Sequence, residues 1–213
     1  MEINGSFLKS KNSQVKTIEE LNKSSISGIH IDFMDNTWVK NNSLRIEDMA
    51  LEEVKKPIEV HMMVSDPLKY LDDFKEKRID HYIFHIEAVN NPLEVILEII
   101  RRGIRPGIAI NPETSVELLR PYLKYVDMVL LMSVTPGKGG QPFLENTTKR
   151  LMALRRMYKG KIEVDGGINP QTIKKVRLSD AVVCGSYICM SDNYEARIQE
   201  LKKALETEQV TFY

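Results

Sequence analysis

Short apolar runs alternate with longer helix-patterned segments eight times along the chain, and nothing else in the sequence restricts the fold as much. Strands are expected at Ile3–Leu8, Ile26–Phe33, Ile58–Val64, His81–Ile86, Arg105–Ile110, Val126–Val134, Lys161–Val164 and Ala181–Cys184. Helices are expected at Val15–Lys23, Ile46–Val54, Pro67–Phe74, Pro92–Arg102, Ser115–Tyr122, Asn146–Tyr158, Pro170–Val176 and Asn193–Leu205. Pro67, Pro92 and Pro170 suit a first helical turn, whose N–H has no partner in any case. Asp66 and Asn91, just before the first two prolines, offer capping oxygens. Repeated strand–helix units imply a parallel sheet with right-handed crossovers, and eight of them close a (β/α)8 TIM barrel. Strands that are apolar throughout fit a sheet covered on both faces. A doubly wound open sheet would need a glycine-rich fingerprint after the first strand, and Ser6-Phe7-Leu8-Lys9-Ser10 is not one. The expected organisation is a single α/β barrel domain over 1–213, with a frayed tail at 206–213.

Lysine plus arginine and aspartate plus glutamate each number 30 in 213 residues, so the formal net charge is zero. Nucleic acid and an anionic membrane surface are therefore not expected as partners. The start has no basic region followed by an apolar run, and no apolar stretch is long enough to span a bilayer. With only Cys184 and Cys189 a disulfide framework is not expected, and a reducing cytoplasm fits.

Four of the apolar runs carry polar chemistry to their C-terminal ends, where barrels of this architecture place their active sites. His30 and Asp32 are two apart on one strand and so face the same way. His61 ends another strand, and Asp165 ends a third, immediately before Gly166-Gly167. Taken singly, His-x-Asp is an ordinary pattern and His61 suits a hydrogen-bonded core position. Together, two imidazoles and two carboxylates form a donor set for a divalent transition metal.

Three loops point separately to a phosphate. They contain Gly137, Lys138, Gly139 and Gly140; Gly166 and Gly167; and Gly185 with Ser186. Any one glycine pair serves a tight turn, but three such loops after strands six, seven and eight can turn backbone N–H groups onto an oxyanion. Lys138 either adds charge there or points into water. Met34, Met63 and Met132 fall near strand ends, where they fill core or form a soft apolar rim. His85 and Glu87 supply contacts behind the site or are structural, and Trp38 is placed to cover the mouth.

At these residues the chain resembles the ribulose-phosphate 3-epimerase family over nearly its whole length. The resemblance is carried, in order, by Ser6-Phe7-Leu8, His30-Ile31-Asp32-Phe33-Met34-Asp35, His61-Met62-Met63-Val64, Asn111-Pro112-Glu113-Thr114, Met132-Ser133-Val134-Thr135-Pro136-Gly137, Val164-Asp165-Gly166-Gly167-Ile168 and Gly185-Ser186. It implies a barrel of the ribulose-phosphate binding type that inverts carbon 3 of a ketose phosphate. It implies one divalent metal ion per chain on His30, Asp32, His61 and Asp165, zinc or iron(II) with manganese or cobalt as substitutes. It also implies that the two aspartates move the proton, that Ser6 and His61 touch substrate, that the three glycine loops hold the phosphate, and that the chain forms a homo-oligomer, a dimer or a hexamer.

This sequence departs from the family pattern at the mouth of the barrel. Asn36 stands where the family has glycine, Lys138 where it has an aromatic residue, and Lys9-Ser10-Lys11-Asn12 lacks the usual aspartate. No metal ligand is lost. The departures leave open the same chemistry on a hexulose phosphate such as allulose 6-phosphate, and a non-catalytic sugar-phosphate binding barrel is a further alternative. A synthase of the hexulose-phosphate group would carry Asp-x-Lys-x-x-Asp at a strand end, which is absent around His30–Asp35.

Overall fold

A computed structural model describes residues 1–43, 45–75 and 77–206. Eight strands run parallel in sequence order: β1 (Glu2–Ser6), β2 (Gly28–Met34), β3 (Ile58–Met63), β4 (His81–His85), β5 (Arg105–Ile110), β6 (Met128–Met132), β7 (Lys161–Asp165) and β8 (Ala181–Cys184). Pairing of β1 with β8 closes the barrel. All eight expected strands are present, two with the expected ends and the others shifted by one or two residues.

The helices depart further from expectation. The longer ones are α1 (Gln14–Lys23), α2 (Leu71–Lys75), α3 (Pro92–Arg101), α4 (Thr147–Met157) and, at the end of the described chain, a helix over Tyr194–Glu206. Asn91 caps α3 by accepting from Glu94 N, with Pro92 in its first turn. The helix expected at 46–54 is instead two 3-10 turns, Ile46–Asp48 and Leu51–Glu53, broken at Ala50, which has φ 44°. The one expected at 115–122 shortens to a 3-10 turn at Val116–Leu119, because Pro121 has no N–H to continue the helical hydrogen bonding, although Arg120 before it keeps helical geometry. Pro67–Tyr70 is likewise 3-10, leading into α2. Pro170 opens no helix: Asn169 Oδ1 accepts from the N–H groups of Gln171 and Thr172, and only Ile173–Val176 turns, as 3-10. A short helix α5 (Ser186–Cys189) was not anticipated; the helix over Tyr194–Glu206 is α6. Of the tail at 206–213, Glu206 closes α6 and the remainder lies outside the described residues.

Alternation along the strands sorts side chains into two cores. Ile29, Ile31, Val60, Met62, Tyr82, Phe84, Ile162 and Val164 face outward, where the helices cover them. Inside the barrel, Ile83, Ala109, Met128, Leu130, Met132 and Val183 form a second apolar cluster. That cluster fills only part of the interior. Asn4, His30, Glu59, His61, His85 and Glu163, all nearly solvent-free, occupy the rest. A barrel interior is normally packed with branched apolar side chains, and this buried polar column departs from that packing.

Candidate active site

The period-two alternation that turns Ile29, Ile31 and Phe33 outward turns His30, Asp32 and Met34 inward on β2. Strand register then sets Asp32 beside His61 of β3, and Met34 beside Met63. Asp165 enters from β7, far away in sequence. His61 Nδ1 lies 3.3 Å from Asp32 Oδ1 and 3.9 Å from Asp165 Oδ2. His30 Nε2 lies 3.7 Å from Asp32 Oδ1. The structure thus brings all four expected ligands together, with donor atoms within 4.8 Å of one another.

This set fits a divalent cation. His30 Nε2 is buried, faces the carboxylates and makes no hydrogen bond among the described residues, while two carboxylates and two ring nitrogens converge from three strands. Ser6 stands beside it, its Oγ donating to Asp32 Oδ2 at 2.6 Å.

The electrostatics of the cluster separate its members. Burial disfavours the His30 imidazolium, but the Glu59 hydrogen bond and the charges of Asp32, Glu59 and Asp165 outweigh it and hold His30 at about 10. His61 is pushed down to about 4, first by burial. Burial works to raise Asp32, yet the His61 and Ser6 hydrogen bonds and the His30 charge bring it below its ordinary value. Among the described residues, the Asp165 side chain has no such bonds. Burial, with the Asp32 and Glu59 charges and against the pull of His30, lifts it to about 7. Two carboxylates thus share one pocket with different proton affinities.

Above the cluster a cavity is lined by Ser6, Asp32, Met132, Asp165 and all three glycine loops, from Gly137 through Gly140, Gly166-Gly167 and Gly185-Ser186. Gly166 and Gly167 have φ of 114° and 63°. A Cβ on Gly166 would sit 2.4 Å from Val134 Cγ2, and one on Gly167 2.6 Å from the backbone N of Phe143, so both positions require glycine. Ser133 fastens this turn from β6, its Oγ donating to the carbonyls of Asp165 and Gly166. Lys138 lines the cavity as well. So does Lys9, which sequence reasoning did not single out and whose side chain lies across Gly139 and Gly140. Neither lysine forms an ion pair among the described residues. Met132 lines the cavity, whereas Met34 and Met63 are buried at the ends of β2 and β3 and do not.

In the loop after β2, Asn36 adopts φ 63°, a left-handed conformation that asparagine tolerates better than most residues. Asn41 Nδ2 donates to Gly137 O at 2.9 Å and ties this loop to the one after β6. Trp38, half-buried, lays its ring 4.3 Å from that of His85. Arg150 of α4, also not anticipated, donates to the carbonyls of Met132 and Asn111 and so braces the ends of β6 and β5. Nor did Asn4, Glu59 and Glu163 stand out in the sequence. Their signal was a charged or amide side chain at an inward position of an otherwise apolar strand.

A sequence profile of the ribulose-phosphate 3 epimerase family matches residues 2–189. The chain belongs to that family. It is therefore an isomerase of the epimerase class. Curated relatives agree over most of their length. A ribulose-phosphate 3-epimerase of Eremothecium gossypii is 35% identical over 196 residues, covering 84% of this chain and 82% of its own. One of Methanocaldococcus jannaschii is 36% identical over 200 residues, covering 87% and 84%. Among solved structures, 3-hexulose-6-phosphate synthase from Salmonella typhimurium superimposes with a TM-score of 0.68 at 15% identity, over 96% of this chain and 98% of that one, a likeness of fold alone. Among the described residues, no helix is long and apolar enough to cross a membrane.

Proposed function

We propose that the protein inverts carbon 3 of a ketose phosphate, interconverting D-ribulose 5-phosphate and D-xylulose 5-phosphate. The observation that carries this reading is the placement of Asp32 and Asp165. Their carboxylates come from strands on different sides of the site, flank the same two imidazoles, and line the cavity that the glycine loops enclose. Inversion needs a proton acceptor on one face of the reacting carbon and a donor on the other, and two separately placed carboxyl groups meet that need.

His30, Asp32, His61 and Asp165 would hold one divalent ion, zinc or iron(II), with manganese or cobalt able to substitute. Bound there, the ion would draw charge from the substrate's ketone oxygen and acidify the neighbouring C–H. One aspartate then takes the proton from carbon 3, and the other returns a proton to the opposite face of the planar enediolate. Ser6 holds Asp32 in place through its hydrogen bond and stands within the cavity to meet substrate. Backbone N–H groups of the glycine loops and Ser186, with Lys138, bind the phosphate. That remote contact orients the reacting carbon. The family resemblance also supports a homo-oligomer, a dimer or a hexamer, and the two free cysteines, Cys184 and Cys189, fit a reducing cytoplasm.

Turnover of ribulose 5-phosphate in an assay coupled to xylulose 5-phosphate tests the reading, with allulose 6-phosphate in parallel. Faster turnover of the hexulose phosphate would move the assignment to that substrate. Absence of turnover with both, in metal-replete protein, would leave a binding barrel.

A further inference from the structure

The two site histidines present opposite ring nitrogens to the carboxylates. His30 turns Nε2 inward and places Nδ1 2.7 Å from Glu59 Oε1. His61 turns Nδ1 inward and places Nε2 2.7 Å from Nε2 of His85. A contact that short between two ring nitrogens requires a hydrogen on one and a lone pair on the other.

We infer that His85 and Glu87 are positioning residues that fix the tautomer of His61, as Glu59 does for His30. The inference rests on the metal-centre reading above. A metal-ligating imidazole offers a lone pair, so a ligand role for His61 Nδ1 puts the hydrogen on Nε2. His85 Nε2 must then accept it. The His85 hydrogen is thereby placed on Nδ1, which lies 3.3 Å from Glu87 Oε2 and donates to it. The remaining Glu87 oxygen, Oε1, accepts the Asn111 backbone N–H at 2.8 Å. Every hydrogen in the chain from Asn111 to His61 then has a defined direction. The reverse arrangement would set a His85 lone pair against the Glu87 carboxylate and a His61 N–H into the metal position. Trp38 packs against the His85 ring, with ring centroids 4.3 Å apart, and limits its movement. Outer contacts of this type orient metal-ligating histidines and raise their basicity.

The test uses the full chain, stripped of metal with a chelator and then titrated with zinc in competition with that chelator. His85→Leu removes the acceptor. Glu87→Gln keeps the shape but offers an amide N–H to His85. Each is expected to weaken zinc binding by about 10–100-fold. His85→Gln restores a carbonyl acceptor to His61 and is expected to recover most of the loss. Nitrogen-15 imidazole spectra of the zinc-loaded wild-type protein should show His61 bound through Nδ1 and His85 protonated on Nδ1. Since Glu87→Gln changes little in volume, it serves as the second variant should His85→Leu fail to fold. Unaltered zinc affinity in Glu87→Gln, or His85 protonated on Nε2 in the zinc-loaded protein, would overturn the inference alone. Failure of the wild-type protein to take up zinc at all would overturn the metal-centre reading as well.

Discussion

His30 Nδ1 lies 2.7 Å from Glu59 Oε1, and both side chains are shut inside the barrel, at 0% and 5% exposure. The pair is stacked on a second one. Burial first, then the Glu59 charge, pushes Glu163 well above its ordinary value; it lies beside Glu59 and its Oε1 accepts from Asn4 Nδ2 at 2.8 Å. One side of the barrel thus contains a continuous polar column running from Asn4 to the metal-competent cluster.

The first prediction concerns stability against pH. His30 is raised from 6.5 to about 10, so its contribution is complete below 6.5 and is lost as pH climbs towards 10. Glu59 is lowered from 4.5 to about 2: burial opposes this, but the His30 hydrogen bond and charge prevail, and its contribution is complete above 4.5 and lost as pH falls towards 2. The difference in unfolding free energy between metal-free wild type and Glu59→Gln should therefore be largest from 4.5 to 6.5 and shrink on either side. Denaturant unfolding across that range measures it, and a difference independent of pH would disprove the pairing.

Metal uptake should release protons. A ligating imidazole must be free of hydrogen at the bound nitrogen and a ligating carboxyl must be ionised, yet in the metal-free protein His30 keeps its extra proton up to about 10 and Asp165 stays protonated and neutral up to about 7. At neutral pH, zinc binding should discharge between one and two protons and should weaken as pH falls. Calorimetry in buffers of differing ionisation enthalpy counts them directly. An enthalpy that does not depend on the buffer would contradict the expectation.

Asp32→Asn and Asp165→Asn separate the two faces of the reaction. Asparagine keeps the shape and one oxygen donor while losing the base, so turnover should fall by at least roughly 10²–10⁴-fold, with metal occupancy measured alongside. In deuterated water the wild-type enzyme should label carbon 3 of the product. One variant should retain slow exchange into a single epimer without completing inversion. Inversion that leaves carbon 3 unlabelled would exclude the two-aspartate route.

Lys9 and Lys138 give the phosphate reading a test specific to this chain. Both line the cavity beside the glycine loop after β6, and neither is ion-paired among the described residues. Replacing either by alanine should raise KM for the sugar phosphate, and the double variant more so, with the difference fading as ionic strength rises. KM values unchanged at low salt would place both side chains outside the substrate's reach.

The strands and the direction of their side chains, which depend on neighbours along the chain, were legible in the sequence. Strand positions follow from apolar runs, inward and outward faces from their alternation, and the Asp165-Gly166-Gly167 turn from a carboxylate beside two residues able to take positive φ. The ends of the strands were enough to collect His30, Asp32, His61 and Asp165, because one barrel face gathers them all. The helices were less legible, since Pro121, Asn169 and the left-handed Ala50 stop turns that apolar spacing alone would continue. What only the tertiary structure decided is which inward side chains meet. Asn4 and Glu163 touch across 159 positions because β1 and β7 flank β8 in the closed ring. His61 reaches His85 through the register of β3 on β4, and Lys9 crosses the glycine loop because β1 ends beside it in space. Side-chain direction is a local property of a strand, whereas contact depends on register and closure, which the whole sheet settles together.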